Sequence, residues 1–214
     1  MIYGVGDSHG KETFRGIAGV QSCYTGATTL RRAGRPGDSL VPDAVRKIGL
    51  TPGDTVIFCF GEIDVRMHVG IHAQHFPGGV VPMLAHWVDQ YLSRVVELDL
   101  GGARAAVMSV VPPHSRAHAP AELFNPDVSD EARIYYTLTV NRLLEVECAR
   151  RGLLYVDVHH EYCDERGMML EALSEDGGTH ICGTDRVAAL LRRLGLKLVD
   201  EPWAVLNECS GQEW

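Results

Sequence analysis

The 214 residues contain no apolar run that approaches the roughly 20 needed to cross a bilayer as a helix. No membrane partner is expected. A CxxC pair is also missing: Cys23, Cys59, Cys148, Cys163, Cys182 and Cys209 are scattered along the chain. This excludes zinc-ribbon and dithiol spacings and leaves a set of mostly reduced thiols, several of them expected to be buried. There is no basic excess either. Lys and Arg number 20 against 28 Asp and Glu, a formal net charge of −8. No broad cationic surface exists to neutralise phosphates, so no nucleic-acid partner is expected. The N-terminus lacks a basic, apolar, small-residue leader, and the expected location is the cytoplasm. No repeat, low-complexity segment or linker divides the chain. The expectation is one domain over residues 1–214, with 201–214 as a C-terminal tail carrying Trp203 and Trp214. No pattern specifies an oligomeric state.

What is present is an alternation of apolar, β-rich runs with helical patterns. Strands are read at 2–6, 21–24, 55–60, 105–111 and 153–158, and helices at 10–19, 41–49, 83–99, 130–151 and 185–195. Residues 114–128 read as a surface loop. So does the stretch from Met67 to Gly79, since Gly70, Pro77, Gly78 and Gly79 all oppose a helix. Alternating strands and helices imply a parallel sheet between helix layers. Right-handed crossovers then gather the strand C-termini on one edge, where ligands bind.

Three segments carry chemistry. Gly6-Asp7-Ser8-His9 follows the first strand and presents a serine hydroxyl at a turn. Asp176-Gly177-Gly178-Thr179-His180 offers a carboxylate and an imidazole. Ser8, His180 and Asp176 are thus the parts of an activated nucleophile: the imidazole takes the hydroxyl proton and the carboxylate orients the imidazole. Glu175 is a weaker stand-in for Asp176. A second Gly-Asp-Ser, at 37–39, follows Pro36 and no strand, and reads as a turn and helix cap. The third segment, Gly61 to His68, places Glu62, Asp64, Arg66 and His68 directly after a buried strand. Charges there are costly unless paired, which points to a site role, structural or catalytic. Arg66 is its strongest candidate.

His9 has two readings: it touches substrate, or it packs beside the first helix. His68, His72 and His75 are spaced four and three apart and would share a helix face, which raises the question of a metal. No cysteine or carboxylate pattern completes a zinc site, so neither metal nor cofactor is expected. Arg31-Arg32 and Arg133 read as solvated helix residues, and Asn141 as a buried hydrogen-bonding residue in the 130–151 helix.

With these segments in view, the chain resembles the SGNH/GDSL hydrolase superfamily over nearly its whole length. Gly6-Asp7-Ser8 is similar to the block that carries the nucleophile, Gly61-Glu62-Ile63-Asp64 stands where the Gly-x-Asn-Asp block belongs, and Asp176/His180 resembles the last block. Gly26 matches the second-block glycine. The string Gly61 to His68, with Gly-Asp-Ser-His upstream, is similar to a bacterial branch reading Gly-Glu-x-Asp-x-Arg. The resemblance implies a flavodoxin-like three-layer α/β/α fold with a central parallel sheet of about five strands, and serine esterase or acyltransferase chemistry. It implies Ser8 as nucleophile, His180 as base, and the Ser8 and Gly26 N–H groups as oxyanion donors.

Two departures stand out. Ile63 replaces the family's oxyanion-donating Asn, and loss of such a donor costs ~10²–10³ in rate. Arg66 could substitute, held by Glu62 or Asp64. Asp176 lies four residues before His180 where the family places its Asp three before. The leading expectation is an acyl hydrolase or acyltransferase acting on a small-molecule or carbohydrate-type acyl ester. Its rivals are a degraded, ligand-binding version of the same fold and, more weakly, a metal-assisted hydrolase built on His68, His72 and His75.

Overall fold

A computed structural model describes residues 1–117, 121–174 and 179–208. Its centre is a six-stranded sheet in the order β5-β4-β3-β1-β2-β6. The strands are β1 (Ile2–Gly6), β2 (Val20–Tyr24), β3 (Thr55–Cys59), β4 (Arg104–Met108), β5 (Leu154–Val156) and β6 (Ala204–Glu208). All neighbours pair in parallel. Every residue of β3 is buried, as expected for an apolar strand covered on both faces.

Helices cover both faces of this sheet. On one side α3 (Leu40–Ile48), α5 (Val80–Glu97) and α6 (Asp130–Arg151) bury Val45, Trp87, Leu92 and Leu144 against Val56 and Phe58. On the other, α1 (Ser8–Thr13) and α8 (Thr184–Arg193) sit where Phe14, Val187 and Leu191 pack with Ile57 and Met108. This is the expected three-layer α/β/α arrangement. Helix α6 keeps the bounds read from the sequence because both ends are encoded locally. The Ser129 hydroxyl accepts from the Ala132 N–H at its start, and Gly152 stops it in the left-handed region at φ 68°.

Three readings differ. The sheet has six strands where about five are expected, the sixth coming from residues 204–208 of the expected tail, which pair with β2 as β6. The stretch after Gly61 is helical: a π-helical turn (Asp64–His68) runs into α4 (Val69–Ala73). Val65 and Val69, four apart, bury one face of it. Gly70 does not break it, because its missing side chain makes room for Val128, whose Cγ2 would lie 2.4 Å from an added Cβ. Finally, Arg133 is not solvated. It is 1% exposed, ion-paired with Asp130 and stacked 4.4 Å from the centroid of Phe124. Among the described residues no helix is long and apolar enough to cross a membrane.

Candidate functional site

The sheet register assembles the site. Gly6 at the end of β1 pairs with Tyr24 of β2 on one side and Cys59 of β3 on the other. Ser8, Gly26 and Gly61 each lie two residues beyond that row, so their three loops leave the sheet at one level. The Thr25 N–H and hydroxyl both donate to the Gly6 carbonyl, at 2.8 and 2.9 Å, which locks the first two loops together. The nucleophile turn is itself capped. Asp7 precedes α1 in an extended conformation, and its Oδ1 accepts from the His9 N–H at 2.8 Å. Ser8 is left half-buried at the first position of the helix.

His180 reaches this turn from the far end of the chain. Its Nε2 lies 3.1 Å from Ser8 Oγ. With the proton on Nδ1, Nε2 accepts from the hydroxyl, which is the contact a general base makes before attack. His180 is held next to Ile181, which is buried in the core and bridges to Ser174. Asp176 and Glu175 lie outside the described residues.

Beneath this pair runs a chain of alternating acids and bases. His9 is buried, with Nδ1 3.3 Å from Asp7 Oδ1 and Nε2 3.3 Å from Glu62 Oε2. Neither ring nitrogen meets hydrogen-bond geometry, so these are ion-pair contacts. Glu62 Oε1 in turn accepts from Arg66 Nε at 2.7 Å. Burial alone would push the His9 imidazole down; Glu62 and Asp7 outweigh it and hold the ring above its ordinary value. Glu62 is the mirror case. Burial would raise its carboxyl, but His9 and Arg66 keep it lowered. The His9 ring also lies 4.8 Å from that of His180. His9 packs beneath the base, at 4% exposure.

Arg66 is held by Glu62 and not by Asp64. Its Nη1 donates to the Leu123 carbonyl at 2.5 Å, so it braces the loop after β4 against the loop after β3. Asp64 instead caps α2 (Leu30–Ala33), accepting from the Leu30 N–H at 2.6 Å and the Arg31 N–H at 3.4 Å. Its burial pushes the carboxyl up to about 7. Ile63 is half-buried and supplies no side-chain donor. Gly26 adopts φ 74°, and an added Cβ would meet nothing within 4 Å. Glycine is needed there for the left-handed backbone and not for space. His68 is half-buried, with its ring 6.3 Å from that of His72.

Asn141 is buried and hydrogen-bonded, as the sequence led one to expect. Its side chain accepts from the Val110 N–H at 2.7 Å and donates to the Val110 carbonyl at 2.9 Å. It pins the end of β4 to α6 in the way another strand would. Its position among leucines on the helix was the available signal. The Cys59 thiol beneath the site is no ready nucleophile: burial, and then Asp7, raise it well above its ordinary range. Among the described residues no three His, Cys, Asp or Glu side chains are grouped so that they could hold a metal ion.

No protein-family model matches the chain, and no curated protein matches it. Solved structures do. An aryl esterase of M. smegmatis is similar with a TM-score of 0.56 at 15% identity, over 92% of this chain and 99% of that one. A GDSL-like lipase from Bacteroides thetaiotaomicron gives 0.51 at 14% identity, over 90% and 86%. A carbohydrate acetylesterase from Sinorhizobium meliloti gives 0.50 at 14%, over 90% and 95%. At these identities the likeness is one of fold: the chain has the fold of the SGNH/GDSL hydrolases.

Proposed function

We propose that the chain is a serine-dependent acyl hydrolase in which Ser8 is the nucleophile and His180 the general base. The observation that carries this is the 3.1 Å separation of Ser8 Oγ and His180 Nε2 at the C-terminal edge of the sheet. Ser8 Oγ attacks the ester carbonyl as its proton passes to Nε2. The tetrahedral intermediate collapses, the alkoxide leaves with that proton, and the acyl group remains on Ser8. Water, activated by the same nitrogen, then releases the acid and restores the hydroxyl. An acceptor hydroxyl in place of water would make the reaction an acyl transfer with the same groups. Asp176 is the carboxylate assigned to orient His180.

The oxyanion rests on the backbone N–H groups of Ser8 and Gly26, a reading supported by their equal offset beyond the paired residues Gly6 and Tyr24. Arg66 serves better as a brace than as the missing third donor, since Nε and Nη1 are already engaged. The buried chain Asp7–His9–Glu62–Arg66 keeps the base from sinking into the turn. The substrate is a small acyl ester on a polar or carbohydrate-type molecule. One structural neighbour is named a carbohydrate acetylesterase.

The test is turnover of 4-nitrophenyl acetate by the purified protein. The expected result is hydrolysis that Ser8→Ala reduces to the buffer rate. Undiminished turnover in Ser8→Ala would refute the assignment, and ligand binding without any turnover in the wild type would favour a degraded site.

A further inference from the structure

A groove of about 680 Å³ lies between α2, α4 and α5. Arg31, Arg32 and Arg35 line one wall; His72, His75 and Trp87 are among the residues opposite. No Asp or Glu lines it among the described residues. On a chain of net charge −8 this is a local reversal of sign. Arg32 is answered by Asp38, which accepts from its Nε at 3.1 Å. Arg31 and Arg35 have no carboxylate partner among the described residues. The Arg31 guanidinium lies 5.7 Å from the Trp87 ring centroid, and its Nη1 is 3.0 Å from His72 Nε2. His72 Nε2 accepts there, so Arg31 is pre-oriented by a neutral ring and an aromatic face. Burial and then Arg31 push His72 down, which keeps it in that neutral form.

The groove is tied to the nucleophile loops. Asp64, on the loop that carries Glu62 and Arg66, holds the Leu30 and Arg31 N–H groups. The aromatic rings Trp87 and Phe76 add apolar faces to the cationic wall. We propose that this groove binds the oxyanion of an anionic, ring-bearing small molecule, a phosphate or carboxylate on the part of the substrate remote from the scissile ester. The proposal rests on the esterase reading for the word substrate, but the binding site itself does not depend on turnover.

The experiment is calorimetric titration of Ser8→Ala protein with phenyl phosphate and with benzoate, using benzyl alcohol as the uncharged control. The expected result is 1:1 binding of at least one anion, weakened by added salt, with no heat from the alcohol. Arg35→Glu, at an exposed and unpaired position, should weaken that binding at least about tenfold, as should Arg31→Ala. Preference for phenyl phosphate or for benzoate tells which oxyanion the groove takes. Equal binding of the alcohol, absence of binding by both anions, or indifference of a folded Arg35→Glu protein would overturn the proposal. Because Ser8→Ala is used throughout, a failed esterase assay leaves this test intact.

Discussion

The ring of His9 lies 4.8 Å from the ring of His180, wedged between the carboxylates of Asp7 and Glu62. The residue directly after the nucleophile therefore forms the floor under the base. Burial opposes charge on this imidazole, but the two flanking acids outweigh it and favour the charged form, which makes the support testable.

Glu62→Gln should lower the His9 pKa, because burial is then opposed by Asp7 with no help from Glu62. The folded wild-type chain keeps a proton that the unfolded chain releases near the ordinary histidine value of 6.5. The stability this contributes is fully present below that value and fades as pH rises through the raised folded one. Imidazole NMR titration reads the shift directly. Urea unfolding across the same pH range should show a smaller alkaline loss in Glu62→Gln than in wild type. An unmoved His9 would mean that the Glu62 contact is not populated.

Asp64 is expected to behave in the opposite sense to a paired surface carboxylate. Burial raises its pKa to about 7 from an ordinary 3.8. The folded chain then holds a proton that the unfolded chain has lost, so Asp64 costs stability progressively as pH rises between those values. Asp64→Asn should flatten that slope while keeping an acceptor for the Leu30 N–H. Asp64→Ala, which orphans the cap, should lose about 1–2 kcal/mol at acid pH. Urea midpoints at pH 4 and pH 7 separate these outcomes.

Asn141→Leu should destabilise by about 1–3 kcal/mol for each Val110 backbone group left without its partner. Equilibrium unfolding in urea measures the loss. A change under 0.5 kcal/mol, as expected of ordinary surface positions, would show that water replaces the amide freely.

Gly26→Ala should cost only about 1–2 kcal/mol of stability, since an αL backbone is strained for alanine but the space is open. Its esterase rate should fall by much more than that stability loss accounts for, if the Gly26 N–H meets the oxyanion. Parallel kcat and unfolding measurements decide it: a rate loss in proportion to stability would remove Gly26 from the oxyanion site.

Much of this was legible in local sequence. The first strand and its Gly-Asp-Ser turn, the buried run at 55–59 and both ends of α6 are each written in a few adjacent residues. What escaped depends on contacts distant in sequence. β6 is a strand only because β2 offers it an edge. The glycine-containing stretch after Asp64 is helical because Val65 and Val69 meet the core and Val128 fills the space above Gly70. Arg133 is buried because Phe124, from a loop, covers it. The Arg31 groove shows the same limit: two adjacent arginines look solvated until α4 and α5 supply His72 and Trp87. Of the predicted site residues, the structure brings Ser8, His9, Glu62, Arg66 and His180 into one connected set and assigns Asp64 to a helix cap.

The most direct test of the central claim is intact-mass labelling with a small fluorophosphonate, followed by peptide mapping. An activated serine attacks the phosphorus, displaces fluoride and retains the phosphonyl group. A stoichiometric adduct on Ser8 that disappears in His180→Ala is the predicted result. No adduct on the folded protein, or an adduct that persists undiminished in His180→Ala, would contradict it.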